Sequence, residues 1–109
     1  MSELASDPYA SIVELSKAFR DRAVLPSQIM EAQLNRIKVI DQKLGSYQTV
    51  YQDAALASAK KADAAIANGH RIGPFHGIPF ALKDIFELEG YITTCGSREM
   101  LQRVSPTTG

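Results

Sequence analysis

The sequence predicts a mixed α/β layer fold, with helices packed on a mixed β-sheet that these 109 residues leave incomplete. Three observations carry that expectation. Apolar residues recur at helical spacing through the first half, between recognisable start and stop signals. Tyr47, Thr49 and Tyr51 alternate with Gln48 and Val50 in a β-branched and aromatic run. Ile78 to Leu82 is a short, nearly continuous apolar stretch bounded by Gly and Pro, as in a buried central strand.

The elements follow in order. Ser11 and Glu14 have capping-box spacing, so a first helix starts there, with Ile12, Leu15 and Phe19 on one face and Arg20, Asp21 and Arg22 at its polar end. A second helix is predicted from Pro26 to Leu44. Pro26 suits a first turn, where a missing N–H costs nothing, and Gly45 suits a C-terminal stop. Met30, Leu34, Ile37, Ile40 and Leu44 make its stripe, which serves a core or equally a dimer face. A short connector between the two predicts an antiparallel helical hairpin.

A strand over Tyr47–Tyr51 comes next. An alanine-rich helix follows over about 53–68, with Asp53 as N-cap and Leu56, Ala59, Ala62 and Ile66 as a slim inner face. Its small residues would let it approach a sheet closely. Asn68-Gly69 ends it. Beyond Gly69, the glycines and prolines at Gly73, Pro74, Gly77 and Pro79 exclude helix. The strand over Ile78–Leu82 is followed by a turn at Gly90, a short strand at Thr93-Thr94 and a helix start over Ser97–Leu101. The chain thus reads as one domain's worth of residues: a helical flank over 1–45, then the start of an α/β core over 46–109.

Composition excludes several classes. Apolar residues make up 45% of the chain, and 12 basic residues balance 12 acidic ones. That balance, with Lys60-Lys61 as the only adjacent basic pair, argues against direct binding of nucleic acid. No apolar run reaches membrane-spanning length, and Met1-Ser2-Glu3 does not open a signal peptide. Cys95 is the single cysteine, so no internal disulfide can form. These features fit a cytoplasmic protein.

Lys83 is the residue with the most chemistry. It ends the apolar stretch Gly77-Ile78-Pro79-Phe80-Ala81-Leu82, which is expected to carry its head inward. A lysine taken out of water favours the neutral amine, and a neutral amine can draw a proton from a hydroxyl. The bland alternative is a strand-end lysine with its ammonium in solvent. Asp84 would stabilise a charged neighbour. On a strand, however, the two side chains point to opposite faces, so Asp84 is assigned to anchoring the following turn.

The run Gly73-Pro74-Phe75-His76-Gly77-Ile78-Pro79-Phe80-Ala81-Leu82-Lys83-Asp84, followed by Gly90-Tyr91-Ile92-Thr93-Thr94-Cys95-Gly96-Ser97, resembles the opening of the amidase signature family. Those enzymes share a G-P-L-H-G-[IV]-P-[VF]-x-[LIV]-K-D pattern and a T-T-x-G-S element. The resemblance implies the N-terminal portion of the amidase signature fold. It makes Lys83 the lysine of a Ser–cis-Ser–Lys triad that cleaves a carboxamide C–N bond through an acyl-enzyme.

Both serines of that triad lie well past the lysine in the family. No serine here has a Gly-Ser-Ser-Gly-like context, and Ser97 falls on the structural T-T-x-G-S element. The chain is therefore expected to be the N-terminal piece of a longer amidase and inactive alone. Its partners would be a small-molecule amide and the remainder of the chain, or a second copy.

The resemblance implies no cofactor and no metal. His70 and His76 lack a Cys/Asp cluster at ligand spacing, and His76 falls on a structural loop position. Cys95 occupies the variable x and reads as a small half-buried side chain. The tail Val104–Gly109 departs from the family, where an Asp-Ala pair is common, and is assigned no role. Thr94, Gly96 and Ser97 are candidates for shaping the lysine's surroundings, and no substrate-binding residue is assigned. Two further readings stand beside the hydrolase: the amidase-like subunit of a tRNA-dependent amidotransferase, which implies partner subunits and ATP used elsewhere, and a non-catalytic remnant or interaction module.

Overall fold

The computed structural model describes residues 3–109. Among them are four α-helices, α1 Glu3–Ser6, α2 Ile12–Arg20, α3 Pro26–Leu44 and α4 Gln52–Ala67, and a 3-10 turn at Arg98–Met100. The chain divides into two compact units, one running to Pro79 and the other Phe80–Gly109.

The first unit is helical, and the capping signals place its helix ends well. Ser11 Oγ accepts from the Glu14 amide at 3.2 Å, and a Glu14 carboxylate oxygen accepts from the Ser11 amide at 2.7 Å. Hydrogen bonds from Ser11, first its backbone amide and then its hydroxyl, hold the Glu14 carboxyl below its ordinary value. Pro26 opens α3, and Gly45 closes it in the left-handed region.

The end of α2 breaks the glycine rule. Arg22 takes φ 55° and completes a Schellman pattern, its amide donating to Phe19 O and the Ala23 amide to Ala18 O. Its guanidinium then donates to Ile66 O at 3.1 Å, in the last turn of α4, where a cation meets the negative end of the helix dipole.

Phe19 is fully buried at the centre of a core with Leu15, Ala18, Val24, Ile29, Ile66 and Ala5. The α3 stripe is partly as expected. Leu34 is buried and Met30, Ile37 and Ile40 are half-buried, but Leu44 is exposed and the deepest α3 positions are Pro26 and Ile29. The helix that packs along α3 is α4, with α1 also touching it, rather than α2 in a simple hairpin. Ala59 and Ile66 form the buried face of α4, and the alanines around them allow close approach to another helix. That helix starts at Gln52, one residue ahead of Asp53, with Tyr51 at the cap position.

The mixed β-sheet is not present. No strand occurs among the described residues, where the isolated antiparallel bridge between Ile92 and Val104 is the only ladder element. Residues 47–51, 78–82 and 93–94, each expected to be strands, are irregular. The reason is hydrogen-bond satisfaction. A strand leaves its amides and carbonyls open until a second strand pairs with them. No second strand is present among the described residues to pair with them, and some neighbouring groups turn to local partners: Asp41 accepts from the Ser46 and Tyr47 amides at 2.7 and 3.1 Å, and turns close across residues 83–86 and 94–97.

Candidate functional site

The segment of glycine, proline and lysine from Gly73 to Asp84 crosses the boundary between the units, so its two parts are described separately. In the first unit, Gly77 takes φ 75° with no room for a side chain. A Cβ there would lie 2.6 Å from Pro26 Cγ and 3.3 Å from Phe19 Cε2. His76 lies beside it, its Nε2 donating to Ala62 O on α4 at 3.0 Å. His76 therefore fastens the loop to a helix, while His70 is exposed. Among the described residues no three His, Cys, Asp or Glu side chains gather where they could hold a metal ion.

The second unit carries Lys83. The apolar approach does not take it inward within this chain: Phe80 is 80% exposed, Leu82 49%, and Lys83 is exposed as well. Its backbone is nonetheless held. Lys83 O accepts from the Ile85 amide at 2.8 Å and the Phe86 amide at 3.2 Å, closing a tight turn in place of the expected strand.

Asp84 anchors that turn. Its Oδ1 accepts from the Thr94 amide at 2.7 Å and its Oδ2 from the Thr94 hydroxyl. Its own carbonyl accepts from the Cys95 amide at 3.0 Å. The Thr94 hydroxyl, then the Thr94 amide, hold the Asp84 carboxyl below its ordinary value, so it stays a carboxylate. Both oxygens bond to Thr94. Neither of the ion pairs among the described residues, Lys17–Asp21 and Arg103–Glu87, involves Lys83.

Thr93 and Thr94 are each only 4% exposed. The Thr93 hydroxyl donates to Phe86 O at 2.6 Å, at the far end of the same turn. Thr94 Oγ1 also accepts from the Gly96 amide at 3.1 Å, which fixes the orientation of its proton toward Asp84. Cys95 is exposed and sits at φ 51°, followed by Gly96 at φ 75°. Ser97 is half-buried and leads into the 3-10 turn. The tail is also used: Thr108 Oγ1 accepts from the Glu89 amide at 2.9 Å, a role no sequence signal announced.

Within this chain Lys83 is thus an exposed lysine on a pinned backbone. The nucleophile and the bridging hydroxyl of a triad are not found beside it among the described residues.

The family model described as Amidase matches residues 28–108. A glutamyl-tRNA(Gln) amidotransferase subunit from Aromatoleum aromaticum is 43% identical over 97 residues, covering 89% of this chain and 20% of that protein. The protein of the same name from Acidothermus cellulolyticus is 41% identical over 86 residues, covering 79% of this chain and 17% of the relative. That from Anaeromyxobacter sp. is 46% identical over 77 residues, or 71% and 16%. The chain spans about a fifth of the length of these curated relatives. With a family model matched from Gln28 to Thr108, across both units, the chain belongs to the amidase family.

Proposed function

We propose that these residues are the N-terminal part of a longer amidase-type enzyme, with Lys83 as its terminal base. The observation that carries this reading is the family match over residues 28–108, which includes the Gly73–Asp84 segment that ends in Lys83 on a hydrogen-bonded turn. The amine takes a proton from a bridging serine, and that serine takes one from the nucleophilic serine. The resulting alkoxide attacks the carboxamide carbon, the C–N bond breaks, and ammonia leaves with a returned proton. Water then releases the acyl group. Both serines are supplied by polypeptide outside these residues, so the 109-residue chain is inactive alone. The work needs no membrane, and the cytoplasm is the compartment that suits it.

The relatives' name favours one role over a free-standing hydrolase. Proteins 38% to 46% identical to this chain are called subunits of a glutamyl-tRNA(Gln) amidotransferase. On that reading the amide nitrogen is passed on to an acceptor, and the chain works beside partner subunits.

The test is amide turnover by the full-length protein. Lys83→Ala is expected to lower kcat by at least about 100-fold, the usual contribution of a positioned base. Retained turnover would remove Lys83 from the mechanism. Robust, Lys83-dependent turnover by the isolated 109 residues would overturn the requirement for missing serines. Nitrogen delivered to glutamyl-tRNA only when partner subunits are added marks the amidotransferase; free ammonia without them marks the hydrolase. A coding sequence that ends without two further serines leaves a non-catalytic remnant.

A further inference from the structure

We propose that Asp84 is a positioning residue for the Lys83 amine and acts through Thr94, an inference that rests on Lys83 being the base. Asp84 follows Lys83 directly, yet its carboxylate is turned away to a residue ten positions on. Three of its atoms are pinned: Oδ1 by the Thr94 amide, Oδ2 by the Thr94 hydroxyl, and the backbone carbonyl by the Cys95 amide at 3.0 Å. That arrangement takes up neither of the two direct roles a carboxylate beside a lysine could have. Among the described residues the carboxylate forms no ion pair with Lys83. A general acid would need a proton, which a carboxylate accepting two hydrogen bonds does not keep near neutral pH.

What remains is mechanical. The turn 83–86 is closed by Lys83 O and clamped at two points, by Thr94 on Asp84 and by the Thr93 hydroxyl on Phe86 O at 2.6 Å. Both threonines are almost wholly buried, so water cannot readily replace these bonds. A lysine side chain is long and flexible, so a small error in its backbone becomes a large error at Nζ. Misplacement of a reacting group by about 1 Å can lower a rate by about 100-fold. The clasp thus fixes the root of the side chain and leaves its tip free to reach a hydroxyl.

The experiment measures amide turnover in the full-length protein, with melting temperatures alongside. Asp84→Ala and Thr94→Val, which removes only the hydroxyl's bonds at nearly constant shape, are each expected to lower kcat by about 10- to 100-fold. KM should stay within about twofold, because a clasp that acts through the lysine alters the chemical step rather than substrate binding. Thr94→Ser, which keeps the hydroxyl, should restore most of kcat. Because the two residues act as one unit, the double variant should be no slower than Asp84→Ala alone. Should Asp84→Ala not fold, the Thr94 pair decides the matter. Unchanged kcat in Asp84→Ala and Thr94→Val, while Lys83→Ala is dead, overturns the positioning role and leaves the base intact. Multiplied losses in the double variant also overturn it. Full turnover in Lys83→Ala overturns the base and this inference together.

Discussion

Phe19 and Phe80 are the same side chain with opposite fates. Phe19 is 0% exposed at the centre of the helical unit, while Phe80 is 80% exposed at the start of the loop unit. The contrast extends beyond them. Around Phe19, buried side chains are almost all apolar, and full burial of each large one is worth about 1.5 to 3 kcal/mol. In residues 80–109 the buried side chains are Thr93, Thr94 and Ser105, and the exposed ones include Phe80, Leu82, Ile85 and Phe86. One unit is held by excluding water from carbon. The other is held by hydrogen bonds between a carboxylate, two hydroxyls and backbone amides, and it leaves the buried Ser105 hydroxyl with no protein partner among the described residues. The residue offered as a catalytic base sits in the second kind of structure. Its surroundings are specified by direction rather than by volume, which suits a site whose task is to aim a nitrogen atom.

The sharpest way to break this contrast is to overfill the helical unit. Gly77→Ala puts a methyl group 2.6 Å from Pro26 Cγ while forcing an L-residue to φ 75°. The backbone term is about 1 to 2 kcal/mol, and overpacking adds about 1 to 3 kcal/mol. Gly69→Ala is the matched control. Its φ is 72°, but nothing lies within 4 Å of the added methyl, so only the backbone term applies. Urea titrations of the two variants should separate them. Equal losses would mean that the Phe19–Pro26 packing is loose and that volume is not what governs this unit.

Acid tests the other side. Asp84 in the loop unit has its carboxyl held below the ordinary 3.8, first by the Thr94 hydroxyl. A depressed folded value means that its contribution to stability is present above 3.8 and is lost as pH falls through the lower, folded value. Asp41 in the helical unit is lowered in the same direction by the Ser46 amide, but it ties down only the residues after α3. On acidification below the aspartate range, Thr94 amide protection against hydrogen exchange should disappear first. Amides of α2 and α4, backed by the Phe19 core, should outlast it. Loss of both together would show that the two units do not depend on different forces.

The same division explains what could be read in advance. The ends of α2 and α3 were legible because caps are local: Ser11 and Glu14 lie three residues apart, and Pro26 and Gly45 announce a start and a stop by their own backbone preferences. Arg22 in a glycine position was not legible, because its compensation comes from Ile66 O, 44 residues away. The strands failed for a related reason. Alternation in Tyr47–Tyr51 and the apolar run Ile78–Leu82 report compatibility with a sheet, but pairing needs a second strand, and the described residues hold none. At the site, the anchoring duty of Asp84 was expected, though from a strand that is not there, and the hydrogen bonds to Thr94 carry it instead. The clasp was not legible, since Thr93-Thr94 reads equally as a β-branched strand pair and as two hydroxyl donors.

The smallest expected effect lies inside the clasp, at Cys95. Its φ of 51° places a side-chain-bearing residue in the left-handed region, where the Cβ meets the following carbonyl. Its amide still donates to Asp84 O, so the strained geometry is part of what holds the turn. Cys95→Gly removes the steric penalty but gives the unfolded chain more freedom to lose, and the two terms nearly cancel. The expected outcome is a gain of at most about 1 kcal/mol, read by urea titration. Thr94 amide exchange should be unchanged, because it is the backbone of Cys95, and not its exposed thiol, that joins the clasp. A clear loss of stability in Cys95→Gly would show that the sulfur itself packs against the turn, and the loop unit would then owe part of its shape to apolar contact after all.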